Sequence, residues 1–285
     1  FMIVEGDRLD EAPVMYIGMD SHGLVQTASR ERCGRLLDLC CGSGIQGLVA
    51  SRYAEHVVAV DINPRALRFA RFNAQLNGVE NYECRLGSLY EPVKGERFDV
   101  ILANPPFVPS PRQDTRFRDG GEGGEDVLAE ILRGAASHLS AQGRVAIVTD
   151  LADVDDYPAK LGRWWSGEAR TALVMHTADR DEHLFTVPHV NRPFNQSLQD
   201  FDAEYDKWIT NFRAANLCAV NFGYILIWKG GPELTAMRTI NNPAQPIHSS
   251  VSRWFEQRQL LADLPNTACR LATHPELRFT ESRRA

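Results

Sequence analysis

The chain has 285 residues, 44% of them hydrophobic, with a formal charge of −6 and a pI near 5.8. That length and apolar content suit one large α/β domain with additions, the acidic balance disfavours a sequence-blind binder of nucleic acid, and no run of about 18 apolar residues offers a membrane span. The first residue is Phe and no signal peptide follows, so the sequence reads as a trimmed product or a piece of a longer chain.

In chain order, "RLLDLC" (35–40) is a short apolar run before a glycine turn, and "IQGLVASRYA" then has helical spacing. "HVVAVD" (56–61) is a second apolar run ending on an acid. In "NPRALRFARFNAQLNG", Asn63 stands where a helix cap belongs, Pro64 at the first helical position and Gly78 past the end. "YECRLG" and "FDVILA" follow as strands, then the helix "EDVLAEILRGAASHL" and the strand "RVAIVTD". A helix is expected near 153–165, a strand at "RTALVMHT", and a closing strand at "GYILIWK". Strands apolar throughout and alternating with helices imply a parallel sheet covered on both faces. Residues 178–220 form a long polar insertion with one helical stretch, "LQDFDAEYDKWITNFRAA". From Gly230 the chain is rich in Pro and Asn, with one amphipathic helix near 251–264. The six cysteines (33, 40, 41, 84, 218 and 269) contain no C-x-x-C pair, so they read as small thiols in a reducing, cytoplasmic setting, with no metal site.

The turn "LDLCCGSGIQG" places Gly42 and Gly44 between a strand and a helix, at the end of a sheet where open α/β folds bind ligands. Asp38 lies in the first strand, and Asp61 ends the second at the separation from which an acid reaches ribose hydroxyls. The alternative for Asp61 is a solvated strand end or a helix cap. Gly47 falls one place late for a dinucleotide fingerprint, which weakens a pyrophosphate reading.

Together, "LDLCCGSGIQG", "VVAVDINPRALRFARFNAQLNG", "GSLYEPV" and "FDVILANPPF" resemble the class I methyltransferases that use S-adenosylmethionine. More narrowly they resemble the "methyltransferase small" group, which includes the release-factor glutamine methyltransferases. The resemblance spans about residues 35–150. It implies an α/β, Rossmann-like sheet of seven strands, here with an insertion between the last two and a C-terminal extension. The expected organisation is an N-terminal segment over the cofactor pocket (1–34), a methyltransferase domain (35–229) and the extension (230–285). The resemblance places Asp38, Cys40, Gly42 and Gly44 at the methionine end of S-adenosylmethionine, and Asp61 on the ribose. Ile62 would pack on the adenine, with Ser88 and Leu89 flanking its edge. Ser88 stands where the family usually has Asp.

"ILANPPFVPSP" carries the chemistry. A planar nitrogen is a poor nucleophile, because its lone pair is delocalised, and acceptors for its N–H groups favour charge developing there. Asn104 offers a side-chain carbonyl, Pro105 a backbone carbonyl with no competing N–H, and Phe107 an apolar wall. In the resembled family this Asn-Pro-Pro-aromatic motif holds the target nitrogen. The competing interpretation is a stiff exit turn. Asp150, His176, His183 and His189 are candidates to face the cleft, but a structural or solvated role is expected for each, and "DLADVDD" reads as a solvated acidic loop. The glycines of "RDGGEGGEDVLAEIL" suggest a mobile loop, either gating or a plain linker, with Asp126 as a helix cap.

Within the insertion, Arg180, Arg192, Phe185, Phe194, Tyr205 and Trp208 would suit a lid over an aromatic or anionic substrate, or else an apolar face completing the fold. The expected activity is N-methylation of an amide or exocyclic amine, in a protein or peptide. The alternatives are tailoring of a small metabolite and methylation of an RNA or DNA base. A non-catalytic module would have let the cofactor turn or the Asn-Pro-Pro motif decay, and neither has decayed.

Overall fold

The computed structural model describes residues 13–112, 117–167, 169–190 and 197–263. The first helix, α1 (Met19–Thr27), precedes an alternation of β1 (Cys33–Leu39), α2 (Ile45–Ala50), β2 (Ala54–Asp61), α3 (Pro64–Leu76), β3 (Tyr82–Leu86) and β4 (Phe98–Ala103). Then come α4 (Asp126–His138), β5 (Leu139–Ala152), α5 (Tyr157–Trp164) and β6 (Arg170–His176). The insertion supplies α6 (Glu182–His189) and α7 (Leu198–Ala214), followed by β7 (Val220–Lys229), β8 (Leu234–Thr239) and α8 (His248–Asp263).

The strands form one sheet in the order β3-β2-β1-β4-β5-β7-β6-β8. The pairings from β3 through β5 are parallel, and β7 runs antiparallel to both of its neighbours. This is the Rossmann-like arrangement expected, with eight strands among the described residues where seven were anticipated. The eighth, β8, pairs in parallel with β6 at the sheet edge. Its residues are half-buried or exposed, so it lacks the continuous apolar run that betrays the central strands. The flanking Pro and Asn residues further disguise it as loop.

Alternation along the strands sorts two cores. Leu37, Ile101, Val145, Ile147, Val174 and Ile225 face α4 and α5. Leu36, Val100, Leu102, Val148, Leu173 and Leu226 face the other way, against Leu24 of α1 and Val251 and Phe255 of α8. The C-terminal extension thus closes one face of the sheet, where the Phe255 ring stacks on Trp228 with centroids 4.8 Å apart. The insertion builds a third, smaller core from Phe185, Val190, Trp208 and Phe212, against which Phe107 and Val108 pack. Sheet order reverses between β1 and β4, so the loops at their carboxyl ends part and leave a crevice.

Candidate active site

A cavity of about 210 Å³ lies in that crevice. The next, of about 10 Å³ under the opposite end of the sheet, has room for at most one water. The large cavity is walled by the turns after β1, β2 and β3, by the end of β4, and by residues 13–16 with Ser21 of α1. Among the anticipated residues, Cys40, Gly42, Asp61, Ile62, Ser88, Leu89 and Asn104 line it. Ile62 is 57% exposed at the mouth, a position for a flat hydrophobic group to cover.

Four anticipated residues lie off its surface. Asp38 is 1% exposed, behind the turn, and accepts the Gly47 N–H at 2.8 Å. Burial pushes its carboxyl up to about 7, only partly offset by that hydrogen bond. Gly44, at φ +93°, is needed for its shape: a Cβ there would sit 2.7 Å from the Tyr82 hydroxyl. Pro105 is not part of the cavity wall, although its neighbour Pro106 is. Phe107 turns away toward the insertion core, edge-on to Phe222 at 6.4 Å between centroids.

Backbone geometry at the rim is unusual. Cys40 (φ +56°) and Leu89 (φ +43°) are two of four non-glycine residues with left-handed backbone among the described residues, and both line the cavity. Such strain persists where surrounding structure over-determines it. Cys40→Gly should leave stability within about 1 kcal/mol of wild type in urea unfolding, because relief of the left-handed penalty offsets the flexibility of glycine. Cys40→Val, β-branched at positive φ, should cost about 2 kcal/mol. Equal effects for the two would show that the corner is unstrained.

Asp61 locks two loops. Its Oδ2 accepts the Gly42 N–H and its Oδ1 the Asn63 N–H, both at 2.8 Å. Burial raises its carboxyl above the ordinary range, and these amides pull it back. Gly42 has no heavy atom within 4 Å of where a Cβ would be, so its backbone borders open cavity.

Asn104 is the most constrained group. Its Nδ2 donates to Asp20 Oδ2 at 2.8 Å and to Ser21 Oγ at 3.3 Å, while its Oδ1 is buried without a hydrogen-bond partner. A buried acceptor left unmade is costly, and on a residue that lines a cavity it is a natural partner for a ligand donor. Sequence reasoning missed Asp20 and Ser21. They lie 84 and 83 residues from Asn104.

The loop after the motif is packed. Val108 N–H donates to Arg118, and the Gly120 N–H returns to Val108. A Cβ on Gly124, at φ +75°, would lie 2.5 Å from the Phe107 carbonyl. These glycines permit close approach beneath the motif. Asp126 is the first residue of α4 and does not cap it; the cap position is Glu125, whose carboxylate takes the Lys160 ammonium at 2.9 Å and the Tyr157 hydroxyl at 2.7 Å. "DLADVDD" is also not simply solvated. Asp150 is 3% exposed and paired with Arg180 at 2.5 Å, and Asp153 accepts from the backbone of Cys218 and Ala219. Arg180 is therefore committed to the core and is not a free lid cation. Phe185 and Trp208 are buried, and Tyr205 hydrogen-bonds His183. Burial against these rings drives His189 down to about 4. His176 hydrogen-bonds the Thr177 carbonyl. Arg192, Phe194 and Cys269 lie outside the described residues.

Residues 17–163 match the family model "Methyltransferase small domain". The chain belongs to the methyltransferase small family. The family uses S-adenosylmethionine. The residues present fit that group, with an acid at the β2 end, an open glycine backbone and an unpartnered acceptor converging on one cavity. The chain is 37% identical over 122 residues to the ribosomal protein uL3 glutamine methyltransferase of Bradyrhizobium diazoefficiens, covering 38% of each chain. It is 34% identical over 159 residues to the release factor glutamine methyltransferase of Cereibacter sphaeroides, covering 50% of this chain and 54% of that one. It is 31% identical over 137 residues to the ribosomal RNA small subunit methyltransferase C of Escherichia coli O1:K1 / APEC, covering 47% and 36%. The chain thus spans about half or less of the length of these relatives. No helix among the described residues is long and apolar enough to cross a membrane.

Proposed function

We propose that the chain methylates an amide nitrogen in a protein or peptide, and that Asn104 holds the acceptor. The observation that carries this reading is the buried, unpartnered Oδ1 of Asn104, a residue that lines the cavity. Bound S-adenosylmethionine supplies an electrophilic methyl group on a sulfonium. Asp61, at the end of β2, is placed to accept from the ribose hydroxyls, and Ile62 to lie under the adenine. Asn104 accepts an N–H of the incoming amide, which orients the nitrogen and steadies positive charge as the new bond forms. The methylated nitrogen then releases a proton to water, so the chemistry asks for no general base. Glutamine amides fit this donor requirement, and two of the relatives above are named as glutamine methyltransferases. The net charge of −6 argues against RNA as the acceptor.

The test is transfer of labelled methyl from S-adenosylmethionine into cell lysate separated into protein, RNA and small-molecule fractions. Label should enter protein as N-methylated amide. Asn104→Ala should lower the rate about 10- to 100-fold, the worth of one hydrogen bond to a group gaining charge, with cofactor affinity unchanged. Label confined to RNA or small molecules would overturn the acceptor assignment, and an active Asn104→Ala variant would overturn the role of Asn104.

A further inference from the structure

We propose that Asp20 is the positioning residue of this site, fixing the Asn104 amide so that its carbonyl, and not its NH₂, meets the acceptor. The inference rests on the reading of Asn104 given above. A primary amide is nearly symmetric in shape, and rotating it by half a turn exchanges an acceptor for two donors. A site that presented NH₂ would repel an N–H acceptor, so something must choose. Asn104 itself cannot, and neither proline beside it carries a donor. The choice is made across the fold. Asp20 is an acceptor-only carboxylate, 8% exposed, at 2.8 Å from the amide nitrogen. Turning the amide over would put the Asn104 carbonyl against that carboxylate, two acceptors in a buried place. Ser21 Oγ, itself on the cavity wall, takes the second N–H, so both donors are used and Oδ1 alone of the amide's polar atoms is left without a partner.

Asp20 is itself held rigidly. It lies in the first turn of α1, with Leu24 fully buried one turn on. Gly23 lets the helix come close to the Tyr224 side chain of β7: a Cβ there would fall 1.8 Å from the Tyr224 hydroxyl. That hydroxyl donates to Asn242 Oδ1 at 2.5 Å, and the Ile247 N–H donates to the Gln26 carbonyl at 2.9 Å. The C-terminal extension therefore braces the helix that orients the amide.

The test uses the full chain and two readouts. In ¹⁵N spectra, the side-chain NH₂ of Asn104, assigned by its loss in Asn104→Ala, should be slow to exchange with solvent. It should become fast in Asp20→Ala. In labelled-methyl transfer into lysate, Asp20→Ala should lose about tenfold in rate, with S-adenosylhomocysteine affinity within about twofold of wild type. Rescue distinguishes orientation from structural support. Asn104→Asp alone sets two carboxylates against each other and should be nearly inactive. Asn104→Asp with Asp20→Asn restores donor and acceptor in reversed roles and again leaves a carboxyl oxygen facing the acceptor, so it should regain at least about tenfold over the single variant. A double variant no better than the single, an unchanged Asn104 signal in Asp20→Ala, or wild-type activity in Asp20→Ala would overturn the proposal while leaving Asn104 as the acceptor's partner. Wild-type activity in Asn104→Ala would instead remove the reading on which it rests. The spectral arm needs no acceptor, so it decides the orientation even where lysate takes up no label.

Discussion

Replacing Asp61 with alanine should weaken binding of S-adenosylhomocysteine by about 100-fold or more, measured by calorimetry. A carboxylate accepting from a ligand hydroxyl contributes about 1.5–3 kcal/mol, and a ribose offers two hydroxyls. Part of the loss will come from the loops, since Asp61 also receives the Gly42 and Asn63 amides. Thermal unfolding of the apo protein separates the two contributions. Each lost backbone contact costs about 1 kcal/mol, which lowers the apo midpoint modestly. The loss of ligand affinity instead abolishes the extra rise in midpoint that saturating ligand gives the wild type. Affinity within threefold of wild type would remove Asp61 from the cofactor site. Asn104→Ala is the natural control: it alters the same cavity on the acceptor side and should bind S-adenosylhomocysteine as wild type does.

The two sides of the cavity were not equally legible in the sequence. Cys40, Gly42, Asp61, Ile62, Ser88, Leu89 and Asn104 all stand on its wall, because a parallel sheet delivers the end of each strand to one edge. Strand ends can be read locally, from apolar runs and the turn residues that stop them. Asp38 and Gly44 follow a different logic. They shape the first turn from behind, through the Gly47 amide and the space beside Tyr82, and a motif does not separate shaping from touching. Asp20 and Ser21 were invisible for a plainer reason. The resemblance puts this N-terminal segment over the cofactor pocket, but nothing in "GMDSHG" says which of its side chains meets Asn104, and that depends on how α1 settles over β5. The Arg180 side chain illustrates the same limit. An arginine in a polar insertion reads as a surface cation, and only packing shows the buried carboxylate it serves. β8 escaped because an edge strand need not be apolar on both faces.

Arg180→Met should be among the most destabilising single changes in the insertion, and its cost should grow with pH. Arg180 holds Asp150 at 2.5 Å, its guanidinium lies over the Phe185 ring, and its Nε donates to the Val220 carbonyl. Removing one partner of a buried pair leaves an uncompensated charge, typically a loss of about 3–5 kcal/mol. The sign of the pH dependence follows from Asp150. Burial lifts its carboxyl to about 6 even with Arg180 beside it, and the nearby Asp20 adds to the rise. A raised carboxyl means the folded state holds its proton longer than the unfolded chain does. Stability from this group is therefore complete in acid and falls as pH rises from about 4 to about 6. Without Arg180 the carboxyl titrates higher still, so in the variant the fall continues above pH 6, where the wild type has levelled off. Urea unfolding should thus find the two closer at pH 5 than at pH 8. Asp150→Asn in the Arg180→Met background removes the charge and should recover much of the loss at pH 8 while changing little at pH 5. A gap independent of pH, or no recovery in the double variant, would mean that Arg180 acts through packing on Phe185 alone. The pair also ties the base of the insertion to the strand beside Asn104.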